Sequence, residues 1–190
     1  MTTFIIIAVI FLVLVFIVGV IGNKEQQQRE EEYESKIKES GAVISQQVKC
    51  YNGFISIDEE NEKIYLALSG IREQIFNSYS FSDILSCEVI LDDNSVYKKS
   101  TMRTVGGALI GGALLGGAGA IVGGLSGASR KQSNIKKAEL KIVVKDISNP
   151  NYKFEFYGAG MPSAFRKEKL EEVEKWKDII GIIIDRVDNK

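Results

Sequence analysis

Residues 104–128, TVGGALIGGALLGGAGAIVGGLSGA, carry no charge and are dominated by Gly and Ala. Few folds tolerate such a stretch. Each Gly in a helix interior costs up to about 1 kcal/mol relative to Ala, so the block holds a helical state only where packing or lipid offsets that loss. Basic residues bracket it, with Lys98, Lys99 and Arg103 before and Arg130, Lys131, Lys136 and Lys137 after. An apolar block between two cationic collars is the pattern of a segment that meets a membrane or another copy of itself.

On both sides of the block the apolar period is two, the signature of half-buried strands. Before it, Phe54–Ile57, Lys63–Leu68, Glu73–Tyr79 and Leu85–Leu91 read as antiparallel strands, with polar turns at Asp58–Glu62 and Asp92–Ser95 and a further strand at Val96 and Tyr97. After it, Ala138–Ile147 and Tyr152–Tyr157 form another hairpin around Ser148–Asn151. Residues 101–134 therefore interrupt a sheet without ending it. Val105–Gly127 is long enough to cross a bilayer once, but crossing would place strands that must pair on opposite sides. The expectation is a Gly/Ala-rich helical hairpin turning near Gly116–Gly119, with arms reaching only some 17 Å.

The chain begins with a second apolar stretch. Phe4–Ile21, FIIIAVIFLVLVFIVGVI, is long enough to span a hydrocarbon core of roughly 30 Å. It lacks the basic n-region and the small-residue cleavage site of a signal peptide, so a retained transmembrane anchor over residues 1–22 is expected. No Lys or Arg precedes it, while Lys24, Arg29, Lys36 and Lys38 follow. That bias predicts a single-pass protein of the cell membrane, with the N-terminus outside and the C-terminal domain in the cytoplasm. Residues 23–41 are polar, with Glu25/Arg29, Glu32/Lys36 and Glu34/Lys38 spaced four apart. They predict a charged helical stalk ended by Gly41. Tyr33 and Ile37 alone do not make the apolar seam of a coiled coil.

At the other end, Ser163 is the expected N-cap of a helix reaching about Val187. Leu170, Val173, Trp176, Ile180, Ile183 and Val187 recur every three or four residues, a core-facing stripe.

Composition narrows the chemistry. The chain has no His, which removes Ser-His-Asp and Cys-His catalysis and His-ligated zinc. Its net charge of −1 gives no general cationic field for nucleic acid. Cys50 and Cys87 form no C-x-x-C motif and read as buried free thiols. The block lacks the Gly-Lys-Ser/Thr of a phosphate loop, and the acidic turns at Asp58–Glu62 and Asp92–Asp93 are explained by turn chemistry without a cation. No catalytic, cofactor or metal site is assigned.

Two resemblances follow. The segments FISIDEENEKIYLAL, FSDILSCEVILDDNS and AELKIVVKDISNPNYKFEFYG and the helix EKLEEVEKWKDIIGIIID resemble, in order, a bacterial pleckstrin-homology-like (PH-like) domain. That likeness implies an α+β fold over residues 42–190: a bent antiparallel sheet or barrel of about six to seven strands closed by the C-terminal amphipathic helix. Val48–Gly53 has one Lys, so the basic run of phosphoinositide-binding relatives is missing and that specificity is not implied. The central block is similar to glycine-zipper segments. Ala108, Gly112, Gly116, Ala120, Gly124 and Ala128 lie four apart, and Gly107, Gly111, Gly119, Gly123 and Gly127 form an adjacent row interrupted by Leu115. On a helix these rows make a smooth face that lets another backbone approach closely.

The expected function is that of a non-enzymatic, membrane-anchored binding or scaffold module of a bacterial cell. Its expected partners are membrane lipids, an unspecified protein and, through the Gly/Ala rows, further copies of itself, with no nucleic acid. The alternative is a membrane-perturbing or pore-forming effector, phage- or stress-related, acting through the zipper.

Overall fold

The computed structural model describes residues 11, 13, 24, 27–69, 74–101, 135–158 and 160–189. It divides the chain into two compact units, the first ending at Ala42 and the second spanning Val43–Lys190.

In the first unit a helix, α1, covers residues 27–39. One of the expected intrahelical pairs closes, with Lys36 Nζ 2.6 Å from Glu32 Oε1. Gly41 ends the helix in the left-handed region at φ 68°, which glycine adopts without strain. The expected transmembrane anchor falls almost wholly outside the described residues. Among those residues, no helix is long and apolar enough to cross a membrane.

The second unit is α+β, two four-stranded antiparallel sheets packed against one long helix. Strands β1 (Gln46–Cys50), β2 (Gly53–Asp58), β3 (Lys63–Ser69) and β4 (Gln74–Ser80) form a meander in the order β1-β2-β3-β4. A 3-10 turn at Phe81–Asp83 carries the chain into the second sheet. There β5 (Ile84–Leu91), β6 (Asn94–Ser100), β7 (Ala138–Val144) and β8 (Asn151–Tyr157) take the order β6-β5-β7-β8. Among the described residues eight strands form, where about six to seven were expected. The additional strand is β1, whose sequence QQVKC offers only Val48 and Cys50 as apolar positions.

Helix α2 (Arg166–Asp188) lays its apolar stripe on the second sheet. Leu170, Val173, Trp176, Ile180 and Ile183 are buried among Cys87, Val89, Leu140, Ile142, Phe154 and Phe156, and Val187 packs at the margin. Ser163 is not its N-cap. A 3-10 turn at Ser163–Phe165 comes first, and the α-helix starts at Arg166 after Phe165, which makes no side-chain cap.

The sheets are joined at their margins by backbone bonds. The β1–β2 turn docks on β8, where Tyr51 N–H donates to the Glu155 carbonyl at 2.8 Å. Asn52 receives the Glu155 N–H at 2.8 Å and donates to the Lys153 carbonyl at 2.9 Å. Gly53 starts β2 because a Cβ there would lie 2.0 Å from the Ala67 carbonyl oxygen, a backbone atom unable to yield.

Candidate functional site: the strands that carry the glycine-rich connection

The Gly/Ala block joins β6 to β7, and these strands are not neighbours. Both pair antiparallel with β5, one on each side, so they run parallel to each other with β5 between them. Parallel strands cannot be linked by a tight turn and require a crossover connection. Ser100, at the end of β6, pairs with Ser86 near the start of β5, whereas Ala138, at the start of β7, pairs with Leu91 at its end. The chain therefore leaves the sheet at one end and returns at the other. With about 3.3 Å per residue along a strand and about 4.8 Å between strands, the two points lie roughly 20 Å apart. Both ends of the connection stay in one sheet, as the strand pattern predicted, but they do not sit side by side. The expected hairpin itself lies outside the described residues.

Each of the two points is fixed. At the departure, Thr101 is buried and its N–H donates to the Leu85 carbonyl at 2.9 Å. Two residues earlier Lys99, on the core side of β6, ion-pairs with Asp185 of α2. At the return, Ile135 is buried in the core and the next two residues are clamped by Asp92. One carboxylate oxygen, Asp92 Oδ1, accepts the N–H groups of Lys136 at 2.8 Å and Lys137 at 3.0 Å. The Asp92 N–H in turn donates to the Lys137 carbonyl at 3.1 Å. Asp92 and Asp93 reach this position through a two-residue turn with both φ values positive, 48° and 65°, the geometry of a type I′ hairpin that Asp tolerates better than most residues.

Of the basic collars, Arg103, Arg130 and Lys131 lie outside the described residues, as do Gly107, Gly111, Gly112, Gly116, Gly119, Gly123, Gly124 and Gly127. Lys98 and Lys99 are both in β6. The charge of Lys99 is used inside the domain, on Asp185. Lys137 Nζ sits 3.1 Å from Glu139 and 3.8 Å from Asp93. Its hydrogen bond to Glu139 raises its pKa, against the opposing pull of burial.

The acidic turns serve the backbone. Asp58, fully buried at the end of β2, accepts Val43 N–H at 2.9 Å and, from Asn61, the backbone N–H at 2.9 Å and the side-chain amide at 2.7 Å. Burial alone would raise its carboxyl, but these hydrogen bonds and nearby Lys63 outweigh burial and hold the pKa below the usual range. Among the described residues no three His, Cys, Asp or Glu side chains gather as metal ligands.

Three further polar arrangements were not visible in the sequence. Tyr79 on β4 donates to Asp146 at 2.7 Å and meets the Tyr152 hydroxyl on β8 at 2.8 Å, and Asn77 donates to Tyr152 at 2.6 Å. This seam ties the first sheet to the second. Burial, then the bonds to Tyr152 and Asp146, push the Tyr79 phenol upward, so it stays protonated. Within α2, Glu174 and Lys177 are buried at 3.8 Å, with Asp178 3.2 Å from Lys177. Burial raises the Glu174 carboxyl, with the charge of Lys177 opposing. A groove of about 210 Å³ runs between Phe81 and Ile183, rimmed by the Arg186–Glu59 ion pair at 2.9 Å. Cys50 and Cys87 are free and buried, and burial pushes both thiols far up, so they remain protonated.

Comparison with known proteins agrees with this architecture. The chain is 29% identical over 117 residues to an immunity protein of Bacillus phage SPbeta, covering 56% of each chain. It is likewise 29% identical over 117 residues to the SPbeta prophage-derived uncharacterized membrane protein YomJ of Bacillus subtilis (strain 168), covering 56% of this chain and 50% of that one. The aligned part thus spans about half the length of these relatives. No solved structure matches the chain at a significant level. The family described as "Glycine zipper containing PH domain" matches residues 35–158, a range that takes in all eight strands and the connection between β6 and β7. The chain belongs to the family of PH domains that contain a glycine zipper.

Proposed function

We propose that this chain is a non-enzymatic, membrane-bound binding or scaffold module of a bacterial cell, in which the Gly/Ala connection contacts the bilayer or a second copy. The observation that carries the reading is the strand order β6-β5-β7: the connection that contains the uncharged Gly/Ala block has both of its ends held in one sheet, which supports both ends lying on one side of any membrane it meets. Such a connection is able to enter a leaflet or pack on another small-residue face, and cannot cross an odd number of times without breaking the sheet. The names of the two relatives, a membrane protein and a phage immunity protein, support a membrane role linked to phage. The apolar run Phe4–Ile21 acts in this reading as the single-pass anchor, with the body on the cytoplasmic side where Lys24, Arg29, Lys36 and Lys38 follow it.

The test is flotation with anionic vesicles. A chain starting at Ala42 should float with the vesicles, and Gly112→Leu together with Gly116→Leu should abolish this. A truncated chain that stays fully soluble at low salt would defeat the proposal. The phage link favours one second reading, an effector that perturbs the membrane, and a membrane-potential dye separates the two. Depolarisation on induced expression supports the effector.

A further inference from the structure

We infer that the groove between Phe81 and Ile183 is a docking site for one apolar side chain of a partner protein, carried on a segment that is otherwise basic. This gives the protein partner of the binding module proposed above a surface, and it rests on that reading for the existence of such a partner.

The first observation is what lines the groove. Ile57 of β2, Phe81 in the 3-10 turn and Ile183 of α2 are almost fully buried and make its floor. On α2, Ile179, Ile182, Ile183 and Arg186 fall at i, i+3, i+4 and i+7, so they share one side of the helix. Ile179 is half-buried and packs against the core, whereas Ile182 is 57% exposed. A single exposed Ile carries no meaning by itself. This one stands at the lip of a groove whose floor is already apolar.

Volume sets the size of the occupant. The groove holds about 210 Å³, more than the roughly 150 Å³ of an apolar cavity that accepts benzene and less than the roughly 300–1,000 Å³ of sites for drug-sized ligands. It matches one branched or aromatic side chain, the kind of anchor that carries most of the energy of a protein contact. The Arg186–Glu59 pair at 2.9 Å ties α2 to the β2–β3 turn across the rim, so the two lips are held together before anything enters.

Charge sets what should surround that anchor. One lip is the β2–β3 turn, with Glu59, Glu60 and Glu62, and the other is the last turns of α2, with Asp185 and Asp188. Against these stand Arg186 and Lys63, and Lys99 on Asp185. The end of α2 adds the negative pole of the helix dipole. Lys or Arg beside the anchor is attracted by this rim, whereas an acidic segment or an anionic headgroup is repelled.

The test uses the full-length chain in detergent micelles, with isoleucine methyl groups labelled for NMR. The probe is a short peptide with a central Leu between lysines, and its controls carry Ala in place of the Leu or Glu in place of the lysines. The Leu/Lys peptide should shift the methyl signals of Ile182 and Ile183, and each control should bind roughly tenfold more weakly. Ile182→Gln, a neutral change at an exposed position, should weaken the Leu/Lys peptide by a similar factor. Equal binding of the lysine and glutamate peptides, equal binding of the Leu and Ala peptides, or no shift with any of them at millimolar concentration would overturn the inference, and none of these outcomes needs a variant to fold. A dimer that dissociates on Ile182→Gln would also overturn it, by making the groove a contact between copies. The shifts report on the groove and the flotation test above on the glycine-rich connection, so the two readings fail separately.

Discussion

Asp92 and Lys137 hold each other by reciprocal bonds: the Asp92 carboxylate accepts the Lys137 N–H at 3.0 Å, and the Asp92 N–H donates to the Lys137 carbonyl at 3.1 Å. This pairing fixes the point where the chain re-enters the second sheet after the glycine-rich connection. Asp92→Ala removes the acceptor for two N–H groups and places Ala at φ 48°. It should destabilise the domain by about 1–2 kcal/mol. Asp92→Asn keeps an acceptor and tolerates the left-handed region, so it should lose less. Urea unfolding of both variants measures the difference.

The Tyr79–Tyr152 contact joins the two sheets through a single hydroxyl pair. Tyr79→Phe leaves Tyr152 and Asp146 short of a partner and should cost about 1 kcal/mol, as should Tyr152→Phe. The double variant should cost less than the sum, because each single change already breaks the shared bond. A double-mutant cycle showing strict additivity would refute the coupling.

Acid should weaken the fold through Asp58 and Asp146. Asp58 is held below the usual range by its hydrogen bonds against the effect of burial, and Asp146 by Tyr79 and then by the Ser148 and Asn149 amides. A depressed folded pKa means stability that is present above the unfolded value of about 3.9 and lost as pH falls through the folded value. Stability should thus hold down to roughly pH 4 and decline below it. Asp58→Asn should flatten that decline in a pH series of unfolding curves. Glu174 works in the opposite sense: its carboxyl is raised by burial, so the pH rise that ionises it removes stability.

Gly53→Ala should destabilise by about 1–3 kcal/mol, because the new methyl meets the Ala67 carbonyl and one strand must move. Thermal unfolding measures it. Gly41→Ala, at φ 68° but with open space around its Cβ position, should cost the first unit a smaller, purely conformational amount.

How much of this was legible depended on whether a feature is periodic. The stripe from Leu170 to Val187 is periodic over a 23-residue helix, and it was read correctly. The alternation in β5, β7 and β8 was equally plain, since Cys87, Val89, Leu140, Ile142, Phe154 and Phe156 all face one core. β1 escaped because two apolar residues do not make a pattern. Buried Glu174 and Lys177 escaped because charged residues on a helix are read as solvated. The seam between Tyr79 and Tyr152 joins residues 73 apart, which no local pattern reveals. Strand order was hidden for the same reason. Alternation identifies β6 and β7 as strands, but only pairing puts β5 between them and separates the ends of the connection.

The central claim is that strands on both sides of the glycine-rich connection lie on one side of the membrane. The most direct measurement is labelling of Glu60→Cys, ahead of the connection, and Asn149→Cys, after it, with a membrane-impermeant thiol reagent in intact and lysed cells. Both positions are exposed turns. The account predicts that both are protected in intact cells and labelled after lysis. One position labelled in intact cells while the other stays protected would contradict it.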